Sequence, residues 1–206
     1  MDLSEPALSV IPGVTGSVLA VLARAGEPLT GRAVAEMTKP SASQKGVALA
    51  LARLVEAGIV DRLDKGRSSL FSLNREHLAA GAISAIASLR ESCLGRMRQT
   101  FETWHPKPSS ATIFGSFARG EGTTASDIDL LLVTPSVPGR AWSHQVTDLT
   151  IAVGRWTGNP LNVIELPGAK LRLYLQEPFI QSALSEGLTV GGVPLRQALR
   201  KARQAG

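Results

Sequence analysis

Within the stretch IFGSFARGEGTTASDIDLLLV, residues 113–133, Asp127 and Asp129 flank a single isoleucine. In a strand, residues i and i+2 point to the same face. The two carboxylates therefore leave one side, while Ile128 and Leu130 pack on the other. Carboxylates held this close repel and raise one another's pKa unless a cation lies between them. Mg²⁺ suits the pair, because it takes oxygen ligands and prefers a few carboxylates plus substrate phosphates to a full protein cage. Upstream, Gly115 lets the backbone turn closely against a ligand, and Ser116 opens a short helix. Free N–H groups at such a turn form an anion site suited to phosphate. The spacing thus joins a phosphate cradle to a metal pair, which is the chemistry of a bound nucleoside triphosphate.

The segment GSFARGEGTTASDIDLLLV resembles the signature of polymerase-beta-type nucleotidyltransferases, specifically their minimal branch: Gly-Ser, about ten residues, then Asp-x-Asp in a strand. The resemblance implies transfer of a nucleoside monophosphate, AMP by family analogy, from an NTP to an acceptor hydroxyl with release of pyrophosphate. It further implies that Gly115, Ser116 and Arg119 hold the triphosphate and that Asp127 and Asp129 bind Mg²⁺. ATP is the expected donor. Two ions about 3.5–4 Å apart would clamp the entering and leaving oxygens. The family normally adds a third carboxylate from a neighbouring strand, and here the third strand reads LNVIEL. Glu165 is its only acid but lies three residues beyond Asn162 and on the opposite face. Glu165 reaching the metals would complete the triad as a metal ligand and catalytic base that helps deprotonate the acceptor. Asn162 at that position would remove the base and leave nucleotide binding. Asp148, in a predicted helix, reads as a surface residue. Minimal nucleotidyltransferases of this kind are associated with toxin–antitoxin systems, and nothing in this sequence selects the acceptor.

The elements that must position these residues follow the hydrophobic pattern. After a boundary at HPKPSS, strands are predicted at 111–115, 127–134 and 161–166. Helices are predicted at about 140–157 and 168–186, with a short basic helix in the tail. Before the boundary, helices are expected over 16–25, after the Thr30 cap, and from Gln44 to a stop at Gly58. The third carries Val47, Leu51, Leu54 and Val55 on one stripe. Two short strands flank Lys65-Gly66-Arg67, and ALARLVEAGIVDRL resembles the recognition helix and first wing strand of winged-helix regulators. A long amphipathic helix is predicted from His77 to about Trp104, with the stripe Ile83, Ile86, Cys93, Met97, Phe101 and Trp104 offering a dimerisation or interdomain surface. The expected architecture has two domains, an α+β winged helix-turn-helix followed by an α/β nucleotidyltransferase domain with a small mixed sheet. Residues 1–76 form the first, 77–105 link them and 106–206 form the second.

A winged helix-turn-helix places its third helix in the major groove and its wing on the backbone. The expected contacts with double-stranded DNA are Ser41, Ser43, Gln44 and Lys45 at the start of the third helix, with Arg62, Lys65 and Arg67 on the wing. Glu56, Asp61 and Asp64 dilute that positive face, and a protein-docking role is the alternative for this half. For the whole chain the alternative is a DNA-binding regulator whose nucleotidyltransferase domain only senses nucleotide.

Composition bounds the rest. The 206 residues are 44% hydrophobic with a net charge of +5, a mild basic excess that fits a nucleic-acid or nucleotide partner. A single cysteine, Cys93, excludes an internal disulfide framework, and the three histidines show no metal-ligand spacing. The start, MDLSEPALSV, lacks the pattern of a secretory signal, and no apolar run reaches membrane-spanning length. The expected location is cytoplasmic.

Overall fold

The computed structural model of the chain describes residues 1–66, 68–134 and 139–204. It divides into two compact units, Asp2 with Ser4–Arg90, and Met1 and Leu3 with the residues from Glu91 onward.

In the first unit, a 3-10 turn at Pro6–Ser9 precedes α1 (Val14–Arg24), β1 (Leu29–Thr30), α2 (Gly31–Met37), α3 (Gln44–Glu56), β2 (Val60–Lys65), β3 (Ser68–Leu73) and α4 (Ala80–Ala87). The side chain of Thr30 caps α2 by accepting from the Ala33 N–H, and Ser43 caps α3 by accepting from the Gly46 N–H. Each satisfies one of the donors that a helix start leaves without an intrahelical partner. Gly58, at φ +70°, ends the α3 turn in a conformation that L side chains rarely adopt. Strands β2 and β3 then pair as an antiparallel hairpin from Val60↔Leu73 to Lys65↔Ser68, and β1 adds to the outer edge of β3. Val47, Ala50, Leu51 and Leu54 of α3 are buried at helical spacing against Val18, Leu22, Val34 and Leu73. This core holds the exposed side of α3 outward.

The predicted helix over 77–104 is two helices, α4 and α5 (Leu89–Thr103), with a break at Ser88. The Ser88 N–H closes the end of α4 on the Ser84 and Ala85 carbonyls. The apolar stripe divides accordingly. Ile83 enters the core of the first unit, whereas Cys93, Met97, Phe101 and Trp104 enter that of the second. These five side chains are buried in the cores of their own units, and Ile86 is half-buried on α4.

The second unit continues with β4 (Ser110–Phe114), α6 (Gly115–Arg119), β5 (Ile128–Thr134), α7 (Arg140–Thr157), β6 (Leu161–Pro167), a 3-10 helix at Gly168–Tyr174, α8 (Pro178–Glu186), β7 (Leu188–Gly192) and α9 (Leu195–Gln204). The strands form a mixed sheet ordered β6-β5-β4-β7, in which β5 and β6 are parallel and the other pairs antiparallel. On one face, Ile128, Leu130, Leu132 and Leu161 pack on Trp142, Leu149 and Val153 of α7 and on Met97 and Phe101 of α5. On the other, Leu131, Val133 and Leu166 pack on Leu171, Ile180, Ala183 and Leu195. Both faces of the central strands are covered, which explains the run Leu130, Leu131, Leu132, Val133 without alternation.

Two further elements, both in the second unit, depart from the sequence expectation. The helix predicted over 168–186 is interrupted before Pro178, which sits at the first turn of α8, where its missing N–H costs nothing. Strand β7, not predicted, pairs with β4 through a segment containing Gly191 and Gly192, residues that weaken strand signals. A Cβ at Gly191 would lie 2.8 Å from Phe101 Cβ, so the absent side chain is what lets α5 approach β7.

Candidate nucleotide site

The site forms where β4 ends. All five residues of β4 are buried, and the register places Phe114 opposite Asp129 of β5. The chain must then turn at once, and Gly115 does so at φ +71°. A Cβ built there would lie 2.6 Å from Asp129 Oδ2. The glycine therefore allows the backbone to press directly on the carboxylate, which joins the Gly-Ser turn and the second aspartate in one place.

Short-range contacts fix the turn. Phe117, fully buried, anchors α6 in the core. Gly120 ends the helix in the left-handed region with its N–H on the Phe117 carbonyl, and the Glu121 N–H returns to the Ser116 carbonyl. A Cβ at Gly122 would meet Leu3 Cβ at 2.9 Å and Ser116 Oγ at 3.1 Å, so the Ser116 hydroxyl lies against the returning loop. Loop 123–126 is held from behind by Asn159, fully buried, whose amide donates to the carbonyls of Thr123, Thr124 and Ser126 at 3.3, 3.3 and 3.0 Å. The Pro160 carbonyl then takes the Ile128 N–H. Asp127 stands exposed between these two anchors, and Asp129 follows, half-buried, on β5. Sequence reasoning passes over Asn159, although an Asn directly after Gly158 at a helix end is a turn residue worth testing for such bonds.

The β5–β6 register decides which side chain of β6 meets Asp129. Asp129 pairs with Asn162 of β6, and Asn162 Nδ2 donates to Asp129 Oδ1 at 2.9 Å. Glu165 pairs instead with Leu132, on the sheet face that carries Leu130 and Val163. There it accepts from the indole N–H of Trp142. The structure brings Asn162 to the aspartate and does not bring Glu165, because three residues along a strand reverse the face. Asp148 lies exposed on α7.

Arg119 is placed at the turn but is already engaged. Its guanidinium donates to Glu121 at 2.6 Å and to Glu186 at 2.6 Å. Glu186, at the end of α8, also accepts from the Ser182 hydroxyl and from the Gly115 N–H. The Ser182 hydroxyl foremost, then Arg119 and the Gly115 N–H, hold its carboxyl below the usual carboxylate value against the opposing effect of burial. Cys93 plays no part: burial pushes its thiol up to about 11, with Arg96 opposing more weakly.

A nucleotidyltransferase-domain family model matches residues 94–184. The match runs from within α5 into α8 and contains the Gly-Ser turn, both aspartates, Asn162 and Glu165. The mixed four-stranded sheet is compatible with a nucleotidyltransferase domain. No curated protein matches the chain. A solved structure, "Crystal structure of the toxin-antitoxin with AMP-PNP", is similar at 16% identity over 54% of this chain and 82% of that one, with a TM-score of 0.39. Among the described residues, no helix is long and apolar enough to cross a membrane.

In the first unit, Gln44 and Lys45 are exposed at the start of α3, as is Ser41. The Ser43 hydroxyl is committed to its cap. Arg62 donates to Asp64 at 2.9 Å, Lys65 is exposed at the end of β2, and Arg67 lies outside the described residues. Farther along α3 the exposed residues are Ala48, Leu49, Ala52, Arg53 and Glu56.

Proposed function

We propose that the second unit is a Mg²⁺-dependent nucleotidyltransferase that binds an NTP, with ATP as the expected donor, and moves its nucleoside monophosphate to an acceptor hydroxyl. The observation that carries this reading is the 2.6 Å approach that a Gly115 side chain would make to Asp129. It supports the reading because a turn that would bind phosphate and a carboxylate that would bind metal then lie against one another, as the reaction needs. Asp127 and Asp129 would hold the cation, which would neutralise charge on the phosphates and polarise them. Two carboxylates plus phosphate oxygens fit one Mg²⁺. The acceptor hydroxyl, giving up its proton to solvent, would attack the α-phosphorus in line, the bond from that phosphorus to the α–β bridging oxygen would break, and pyrophosphate would leave.

Asn162 favours a second reading. A carboxylate oxygen only accepts, so the amide presents its NH₂ to Asp129 and offers neither a metal-binding oxygen nor a base at that contact. In this reading the domain binds Mg·NTP without transferring it and reports nucleotide to the first unit.

The first unit is proposed to be a winged helix-turn-helix that binds double-stranded DNA, on the order α1-β1-α2-α3-β2-β3 and the exposed Gln44, Lys45 and Lys65. Neutralised phosphates release counterions, so affinity for a random duplex should fall linearly on a log-log plot against salt. Lys45→Ala with Lys65→Ala should reduce that slope by about two. Salt-independent or absent binding would favour the protein-docking alternative, for which Ala48, Leu49 and Ala52 provide the apolar face.

Thermal unfolding with ATP, with and without Mg²⁺, tests the nucleotide site. Ligand at a hundred times its dissociation constant should stabilise the fold by about 2.7 kcal/mol. The shift should require Mg²⁺ and vanish in Asp127→Asn with Asp129→Asn. A Mg²⁺-dependent shift with no transfer to any acceptor supports the second reading; no shift with any NTP removes both.

A further inference from the structure

Glu186 lies two residues beyond the part of the chain that matches the nucleotidyltransferase domain, and the nucleotide reading assigns it nothing. Its carboxylate gathers Arg119 at 2.6 Å, the Ser182 hydroxyl and the Gly115 N–H. Two of these donors, Arg119 and Gly115, belong to the turn that the nucleotide reading gives to the phosphates. The placement is not loose. The next residue, Gly187, is pressed so closely on the fold that a Cβ would meet the Ala183 carbonyl oxygen at 2.1 Å and Thr112 Cγ2 at 2.5 Å. The backbone that carries Glu186 is thereby locked between α8 and β4. The side chain itself keeps 22% of its surface exposed, so it has room to leave.

Charge makes this arrangement consequential. Glu186 and Glu121 together offset Arg119, and the Asp129 carboxylate lies against Gly115 at the start of the same turn. With Arg119 so paired, the turn presents no net positive charge to a polyphosphate. A nucleotide that takes over Arg119 and the Gly115 N–H replaces one set of anionic oxygens by another with the same hydrogen-bonding needs. We propose that Glu186 occupies the phosphate position of the nucleotide-free domain, and that a nucleoside triphosphate binds by displacing it. The inference rests on the nucleotide reading above. Glu186 acts as an internal competitor: it sets the apparent affinity by holding the donors closed in most of the population.

Calorimetric titration of Mg·ATP into the full chain, wild type against Glu186→Gln, provides the test. A competitor that closes the site in most molecules lowers apparent affinity by the fraction left open, so the variant should bind on the order of tenfold tighter. Its melting temperature without nucleotide should fall, because three donors lose a charged partner. A purely structural residue would move affinity and stability down together, whereas displacement moves them in opposite directions. Ser182→Ala, which loosens the carboxylate without removing it, should also tighten binding and serves if Glu186→Gln does not fold. In an Arg119→Gln background the gain from Glu186→Gln should shrink, since the two act through one contact. Wild type that binds while Glu186→Gln binds no tighter overturns this proposal alone. Absence of ATP binding in both overturns the nucleotide reading and this proposal with it.

Discussion

Gly115→Ala is expected to lower Mg·ATP affinity on the order of a hundredfold, equivalent to about 2.8 kcal/mol. Two separate penalties meet at this position. The backbone sits at φ +71°, where a Cβ costs about 1–2 kcal/mol. The new methyl would also stand 2.6 Å from Asp129 Oδ2, closer than real Cβ contacts allow. Either the carboxylate turns away and gives up the Asn162 amide, or the turn lifts off β5. On the proposed nucleotide reading, each outcome would separate the phosphate donors from the metal ligand. Gly120 is the control. It has nearly the same backbone, φ +69°, but nothing lies within 4 Å of its hypothetical Cβ. Gly120→Ala should therefore lose the conformational part of the stability while keeping ATP affinity within about threefold. Calorimetry and thermal melts on both variants separate strain from collision. Equal loss of ATP binding in the two would mean that the left-handed turn, and not the contact with Asp129, is what matters.

How far this site is legible in the sequence depends on which physical signal fixes each residue. Asp127 and Asp129 are visible because strand periodicity is local: acids on either side of Ile128, just before an apolar run, share one face at the mouth of a buried strand whatever the rest of the fold does. Gly115 is visible as a turn, but the reason it must be glycine is not, because Asp129 is fourteen positions away and the collision depends on the β4–β5 register. Register also decides the third strand. The face alternation that sets Glu165 opposite Asn162 can be read from LNVIEL, whereas the partner of Asp129 cannot, since a one-residue slip would exchange the two faces. Glu186 is beyond reach altogether. Its role depends on α8 ending beside β4, and the periodicity predicts a helix unbroken from 168. The break at Ser88 escapes for a different reason. The stripe from Ile83 to Trp104 keeps its helical period across the gap, so periodicity alone gives no sign that its two parts enter different cores.

Asn162→Asp carries the largest expected gain and decides between catalysis and sensing. The substitution sets a carboxylate at the register partner of Asp129, where an amide now donates at 2.9 Å. Without metal the change is unfavourable. A hydrogen bond becomes a like-charge contact, one carboxyl is driven to a higher pKa, and stability should fall by about 1 kcal/mol. With Mg²⁺ the sign reverses, because three carboxylates in place of two form a stronger set for a hard cation. Mg²⁺ affinity should rise at least on the order of tenfold, and the variant's melting curve should cross above the wild type as Mg²⁺ is added. Glu165→Gln is the matched comparison. Its side chain accepts from Trp142 on the opposite face, so the Mg²⁺ response should be unchanged even where stability drops. A wild type inert towards every acceptor and an Asn162→Asp variant that transfers would identify Asn162 as the residue that turns this domain into a sensor. A wild type that transfers as well as the variant would show that the chemistry runs without a third carboxylate at this strand, leaving Asp127 and Asp129 as its metal ligands. A Mg²⁺ response that moves with Glu165 and not with residue 162 would place the metal on the other face of the sheet and break the link between Gly115 and the site.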